Sequence, residues 1–199
     1  GGLLTLILPR SWIKFFSALV AFLAGAAGVY VLVAFTAAGK VDSTVDVLYI
    51  GQWLVFGVVI DKLSVLIGAA LGVVGFLIVV YATGYLTMQN REHAETDVKR
   101  RFYFFLLLFI GSMAGLVFSS TLLGLLIFFE LTGVCSWGLI GYYDNEKARK
   151  AALKAIITTQ IASLGLYAAT AFFFALTGST RLTDMAALAD NAKIFIFAG

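Results

Sequence analysis

Leu123-Gly124-Leu125-Leu126-Ile127-Phe128-Phe129-Glu130-Leu131 is an apolar run with one carboxylate inside it. A helix that opens near Leu122 and rises ~1.5 Å per residue carries Glu130 about 12 Å from its start. That depth is near the middle of a ~30 Å hydrocarbon layer, where a short carboxylate reaches neither surface. Every other acidic residue falls in a loop or at the end of an apolar segment. Composition makes the stretch a membrane span. Of 199 residues, 61% are hydrophobic and 13% charged, whereas soluble domains run near a quarter charged. A mean hydropathy of +1.00 with a single proline gathers the apolar residues into long helices, for which the bilayer is the solvent.

Working outward from that run, five segments meet or approach the ~20 apolar residues a spanning helix needs: 13–36, 63–86, 102–118, 122–142 and 151–176. The short apolar runs 3–8 and 194–199 read as two more spans cut short. The first is too short, and wrongly flanked, for a signal peptide. Between the first two spans, residues 45–50 and 55–60 are β-rich and too short to cross, so 39–60 is expected to be an extracytoplasmic loop with a hairpin. Residues 178–191 are partly amphipathic and are expected on the membrane surface. Gly68, Gly72 and Gly75 recur at spacings that permit close helix contact. The expected architecture is all-α, a polytopic transmembrane helix bundle forming one transmembrane domain over 1–199.

Orientation follows from the basic residues. Arg10, Lys14, Arg91, Lys99, Arg100, Arg101, Lys147, Arg149 and Lys150 collect on one side, against Lys40, Lys62, Arg181 and Lys193 on the other. The first side, with the connectors 89–101 and 144–150, is expected to be cytoplasmic. The same bias accounts for the net charge of +3 and argues against a nucleic-acid partner. Cys135 is the single cysteine, which excludes an intrachain disulfide and a thiol cluster for a metal or iron–sulfur centre. Trp137, Tyr142 and Tyr143 resemble an aromatic belt at the cytoplasmic boundary. His93, in a highly charged connector, is given no role.

An ionised carboxylate at the depth of Glu130 costs at least ~2.5–3.5 kcal/mol, so the group must be neutral, paired or facing internal water. Each state suits a proton carrier. The plain alternative is a protonated Glu bonded to a neighbouring helix. Lys154 is the one basic residue set inside a span, less than a turn from its start, where lysines ordinarily snorkel to the headgroups. Farther along the same segment come Thr158, Thr159, Gln160, Ser163 and Tyr167. Thr159, Ser163 and Tyr167, at i, i+4 and i+8, make a polar stripe that either hosts a water chain or ties helices together.

The stretch Phe128-Phe129-Glu130-Leu131-Thr132-Gly133-Val134-Cys135-Ser136-Trp137-Gly138-Leu139-Ile140-Gly141-Tyr142-Tyr143 resembles the fifth transmembrane helix of the antiporter-like subunits. These are shared by respiratory complex I, membrane-bound hydrogenases and Mrp-type cation/proton antiporters. The run Arg101-Phe102-Tyr103-Phe104-Phe105 and Ala152-Leu153-Lys154-Ala155 with Thr159-Gln160 are also similar to that family. The resemblance implies a 14-helix fold with two inverted five-helix repeats, of which this chain is the N-terminal part. It makes Glu130 the carboxylate that pairs a lysine on a broken seventh helix, and Lys154 the sixth-helix lysine. Some members carry Arg and Asp farther along the sixth helix, where Gln160 and Ser163 stand here.

The expected function is proton, or cation/proton, translocation through Glu130 and Lys154, with Thr159, Gln160, Ser163 and Tyr167 as a polar path. It would take place in a membrane-arm subunit of a redox-driven pump or an Mrp-type antiporter complex. The alternative is a non-conducting structural subunit in which Glu130 only fixes packing. No cofactor, metal site or catalytic site is expected in the chain itself; any redox chemistry of an NADH dehydrogenase-like or hydrogenase complex would belong to other subunits. The expected partners are other membrane subunits, the lipid bilayer, protons and Na+. The expected location is the cell membrane, with an organellar inner membrane as the alternative.

Overall fold

The structure is a computed structural model that describes residues 2–7, 9–39, 42–86, 100–143, 145–188 and 190–198. Lys40, Arg91, His93 and Lys99 lie outside the described residues, as does most of the connector 89–101.

A short helix, α1 (Gly2–Thr5), precedes Pro9, which opens α2 (Arg10–Ala37). A two-stranded antiparallel hairpin follows, β1 (Ser43–Ile50) and β2 (Trp53–Ile60). Gly51, at φ 61°, occupies its turn in the left-handed region that favours glycine. Then come α3 (Lys62–Tyr85), α4 (Arg100–Val117), α5 (Leu122–Ile140) and α6 (Glu146–Thr177). A 3-10 segment (Leu182–Ala187) and α7 (Asp190–Ala198) close the described chain. Five helices, α2 to α6, are long and apolar enough to cross a membrane. The protein is a multi-pass membrane helix bundle.

Side-chain caps set where the spans begin, because the first N–H groups of a helix have no intrahelical acceptor. Asp61 accepts from Ser64 N at 2.7 Å while Asp61 N donates to Ser64 Oγ at 2.9 Å, a reciprocal box at the start of α3. Thr121 Oγ1 accepts from Gly124 N (3.0 Å) at α5, and Asn145 Oδ1 from Ala148 N (2.7 Å) at α6. The Asn145 cap corrects the sequence reading of 144–150 as a connector. The helix starts at Glu146, and its charged first turn, with Lys150 bonded to Glu146 at 2.7 Å, stands beyond the apolar part of the span.

Small residues set how closely α2 and α3 approach. A Cβ on Gly72 would stand 2.8 Å from Gly25 Cα, and one on Gly25 would stand 2.9 Å from Gly72 O. Backbone meets backbone there, the close contact that small residues allow in a bilayer. On the other side of the bundle α5 packs along both α4 and α6.

One end of the bundle is a built cap. The hairpin, the turn 119–121 and the segment 178–182 exchange backbone bonds: Val59 N to Phe118 O (2.8 Å), Ser120 N to Gly57 O (2.8 Å), Leu122 N to Thr180 O (2.8 Å) and Leu182 N to Ser120 O (3.0 Å). Thr121 Oγ1 adds a bond to Val55 O (2.7 Å), and Thr180 Oγ1 one to Leu54 O. The opposite end carries Lys14, Arg100, Arg101, Lys147, Arg149 and Lys150.

Two expectations change. Tyr142 is no belt residue: only 3% of it is exposed, in a cluster with Ile13, Leu86 and Tyr103, its ring edge-on to Phe102 at 5.1 Å. The bundle ends in a knot of aromatic rings, and Tyr142 faces inward to complete it. Three apolar residues of 178–191 also face protein, while Ala186 is exposed. Leu182, Met185 and Leu188 pack on a core of Leu122, Ala169, Phe173 and Ile196.

Candidate functional site

Glu130 stands eight residues into α5 and faces α6. The antiparallel course of the two helices brings the middle of α6 beside it. Gln160 Nε2 donates a hydrogen bond to Glu130 Oε2. The hydroxyls of Ser163 and Tyr167 interact with the same carboxyl group. These three residues lie at i, i+3 and i+7 of α6, which puts them on one helical face. Ser163 is 1% exposed, and its Oγ donates to Gln160 O at 3.0 Å, joining two members of the set. Oε1 of Glu130 is buried with no partner in hydrogen-bond geometry. The carboxyl group therefore has one firm donor and spare acceptor capacity.

Thr159 lies on the same side of α6, next to Gly133, one turn along α5 from Glu130. A Cβ on Gly133 would be 3.7 Å from Thr159 Oγ1. Its hydroxyl is spent on its own helix, with bonds to Ala155 O (3.1 Å) and Ile156 O (2.9 Å). Of the polar residues picked out on this helix, Gln160, Ser163 and Tyr167 come to the carboxylate and Thr159 does not.

Lys154 is not brought to Glu130. It is six residues before Gln160, about 9 Å along the helix axis, and its side chain is exposed. The ion pairs described are Lys150–Glu146, Arg181–Asp46 and Lys193–Asp190. Among the described residues, Glu130 therefore has neutral donors rather than an ammonium beside it. Among the described residues no group of three or more His, Cys, Asp and Glu side chains could hold a metal ion.

A second polar cluster, in the cap, carries no periodic sequence signal. Arg181 Nη1 donates to Asp46 Oδ1 at 3.0 Å and Nη2 to Oδ2 at 2.6 Å, a two-pronged pair, and Nη2 also reaches Tyr49 Oη at 3.2 Å. Tyr49 Oη donates to Asp46 Oδ2 at 2.7 Å. These bonds, Arg181's first and Tyr49's second, hold the Asp46 carboxyl below the usual carboxylate range. The carboxylate in turn raises the Tyr49 hydroxyl and the Arg181 guanidinium. The partners are 135 residues apart in sequence, so no local pattern announces them.

The surroundings of the Glu130 carboxyl group are hydrogen-bonding and, among the described residues, uncharged. The arrangement suits moving a charge and contains no nucleophile poised by a base.

Residues 119–198, which hold α5, α6 and the cap segment, match the family described as NADH:quinone oxidoreductase/Mrp antiporter, TM. The chain is 31% identical over 160 residues to the chloroplastic NAD(P)H-quinone oxidoreductase subunit 5 of Cichorium intybus, covering 76% of this chain and 21% of that protein. It is 34% identical over 151 residues to the same subunit of Poa pratensis, covering 72% of this chain and 20% of that one. The chain thus spans about a fifth of the length of these relatives. In fold it is similar to a chain of the Mrp complex from Dietzia sp., with TM-score 0.78 and 20% identity over 99% of this chain and 21% of that one. It is also similar to a chain of an archaeal membrane-bound sulfane sulfur reductase, with TM-score 0.76 and 21% identity over 98% of this chain and 38% of that one.

Proposed function

Because the chain belongs to the antiporter-like superfamily of membrane subunits, we propose that it serves proton, or cation/proton, translocation within a multisubunit membrane complex, with Glu130 as the proton-carrying group. The observation that carries this reading is a carboxyl group at mid-span, bonded by the Gln160 amide and faced by Ser163 and Tyr167, with one oxygen unpartnered. The cation that pairs with Glu130 during transport lies in another part of the full subunit, and Lys154 relays charge between it and the basic end of the bundle. The capped end faces away from the cytoplasm. Modification of a cysteine at Glu146 by an impermeant thiol reagent added outside intact cells would reverse that orientation.

The structural reading draws on one bond: Gln160 to Glu130 ties α5 to α6 whether or not the carboxyl ever ionises. Glu130→Gln in the full-length subunit separates the two. Gln keeps the size and hydrogen bonding of a neutral Glu and holds no charge. The expected result in inverted vesicles is loss of pH-gradient formation, with the complex intact on a native gel and partial activity in Glu130→Asp. Normal transport by a fully assembled Glu130→Gln complex removes the residue from the mechanism and leaves the structural role.

A further inference from the structure

Two adjoining cavities lie under the hairpin. The lower, about 450 Å³, runs between α5 and α6, within the ~300–1,000 Å³ of small-molecule pockets. Leu123, Leu126, Phe173 and Phe174 are among the apolar side chains on its walls, and Ile50 and Trp53 of the hairpin tip reach over it. Trp53 is held there edge-on to Phe174, ring centroids 4.8 Å apart. Its walls extend from the cap to Leu126 and Thr170, about 6 Å and 10 Å inside the ends of their helices. The upper cavity, about 370 Å³, is about half polar, with Tyr49, Gln52 and Arg181 among its lining residues. Trp53, Ser179 and Thr180 belong to both.

The hydroxyls of the lower cavity are engaged elsewhere. Thr170 Oγ1 donates to Leu166 O (2.7 Å), Thr180 Oγ1 to Leu54 O, Ser179 Oγ accepts from Arg181 N (3.2 Å), and Tyr167 turns to Glu130. A water there would lack the two to four polar partners it needs. An empty cavity, in turn, forfeits the dispersion contacts of its lining. The surrounding medium supplies apolar chains at the right depth, and the upper cavity, at the capped end of the spans, has part of the Arg181 side chain exposed. We propose that the paired cavities bind one phospholipid, its acyl chain in the lower cavity and its headgroup phosphate beside Arg181. The tip of that chain meets Tyr167, which touches Glu130. On the reading of Glu130 as the proton group, the lipid then keeps water away from the carboxyl group from the capped end; the site itself does not depend on that reading.

A benzophenone amino acid placed at Ala171, on the cavity wall, in the full-length subunit within its complex reports the occupant directly. After irradiation in native membranes the expected adduct has the mass of a phospholipid. A crosslink to another polypeptide segment, or no adduct, overturns the proposal. Because the probe is bulky, the wild-type complex is also labelled in nanodiscs with phosphatidylcholine carrying a diazirine at the acyl terminus. Label concentrated on 122–126 and 170–174 is expected. Label no denser there than on Trp12 and Phe15 of α2, or labelling only by a free diazirine fatty acid, overturns it. Both readouts should persist in Glu130→Gln, so failure of the proton reading leaves this result standing.

Discussion

The Gln160 side-chain amide donates to Glu130 Oε2 from the middle of α6 to the middle of α5, a link between residues thirty apart in sequence. It gives Glu130 a neutral partner, and among the described residues no ammonium stands beside it. A neutral donor holds the carboxyl in place in either protonation state, whereas an ion pair would bind only the charged one.

Gln160→Leu removes the one firm donor among the described residues and keeps the volume roughly the same. Both oxygens of Glu130 are then without a geometric partner, at a cost of about 1–3 kcal/mol. Reduced thermal stability of the detergent-solubilised complex is expected, together with impaired pH-gradient formation. Gln160→Glu should impair transport more, because it sets two carboxyl groups against each other. Unchanged stability and transport in Gln160→Leu would show that the bond matters to neither.

Lys154 should act on transport and not on folding. Its side chain is exposed, and among the described residues it has no ion pair, so Lys154→Met should assemble normally. Transport should fall in Lys154→Met and be largely retained in Lys154→Arg, which keeps the charge. Equal transport by both variants and the wild type would identify Lys154 as a headgroup anchor.

The cap should be sensitive to acid through Asp46. Its carboxyl is held below the ordinary value of 3.8, first by the Arg181 bond and next by Tyr49. A depressed folded-state pKa adds stability that is present above the unfolded value and lost as pH falls through the folded one. Protection of the hairpin amides, 43–60, measured relative to the intrinsic exchange rate at each pH, should therefore be flat at neutral and mildly acidic pH and fall only below the ordinary value of 3.8. Arg181→Met should raise exchange already at neutral pH and flatten the acid step. A wild-type step centred above the ordinary value would show that the pair is not formed.

Gly72→Ala forces a Cβ to within 2.8 Å of Gly25 Cα. With backbone on both sides, the helices must separate, at a cost of about 1–3 kcal/mol. Gly111→Ala is the control, since a Cβ there meets nothing within 4 Å. Thermal unfolding should show a loss for the first and little change for the second; equal behaviour would mean that α2 and α3 do not cross at Gly25 and Gly72.

The five spans, the hairpin and the oddity of Glu130 were all legible in the sequence. Each is a local property: a backbone in hydrocarbon must bond to itself, so about twenty apolar residues commit to a helix, and one carboxylate among them stands out without reference to any neighbour. Helical spacing put Thr159, Ser163 and Tyr167 on one face; the structure replaces Thr159 with Gln160 in the set that meets Glu130. Tertiary structure decided what those faces meet. A membrane helix is apolar toward lipid and toward protein alike, so hydropathy does not tell the buried Tyr142 from a belt tyrosine, nor the inward-packed Leu182, Met185 and Leu188 from a surface helix. The choice of Gln160 over Lys154 as the partner of Glu130 depends on the relative height of α5 and α6. The Asp46–Arg181 pair depends on folding two ends of the chain onto one cap, a coincidence in space between residues 135 positions apart.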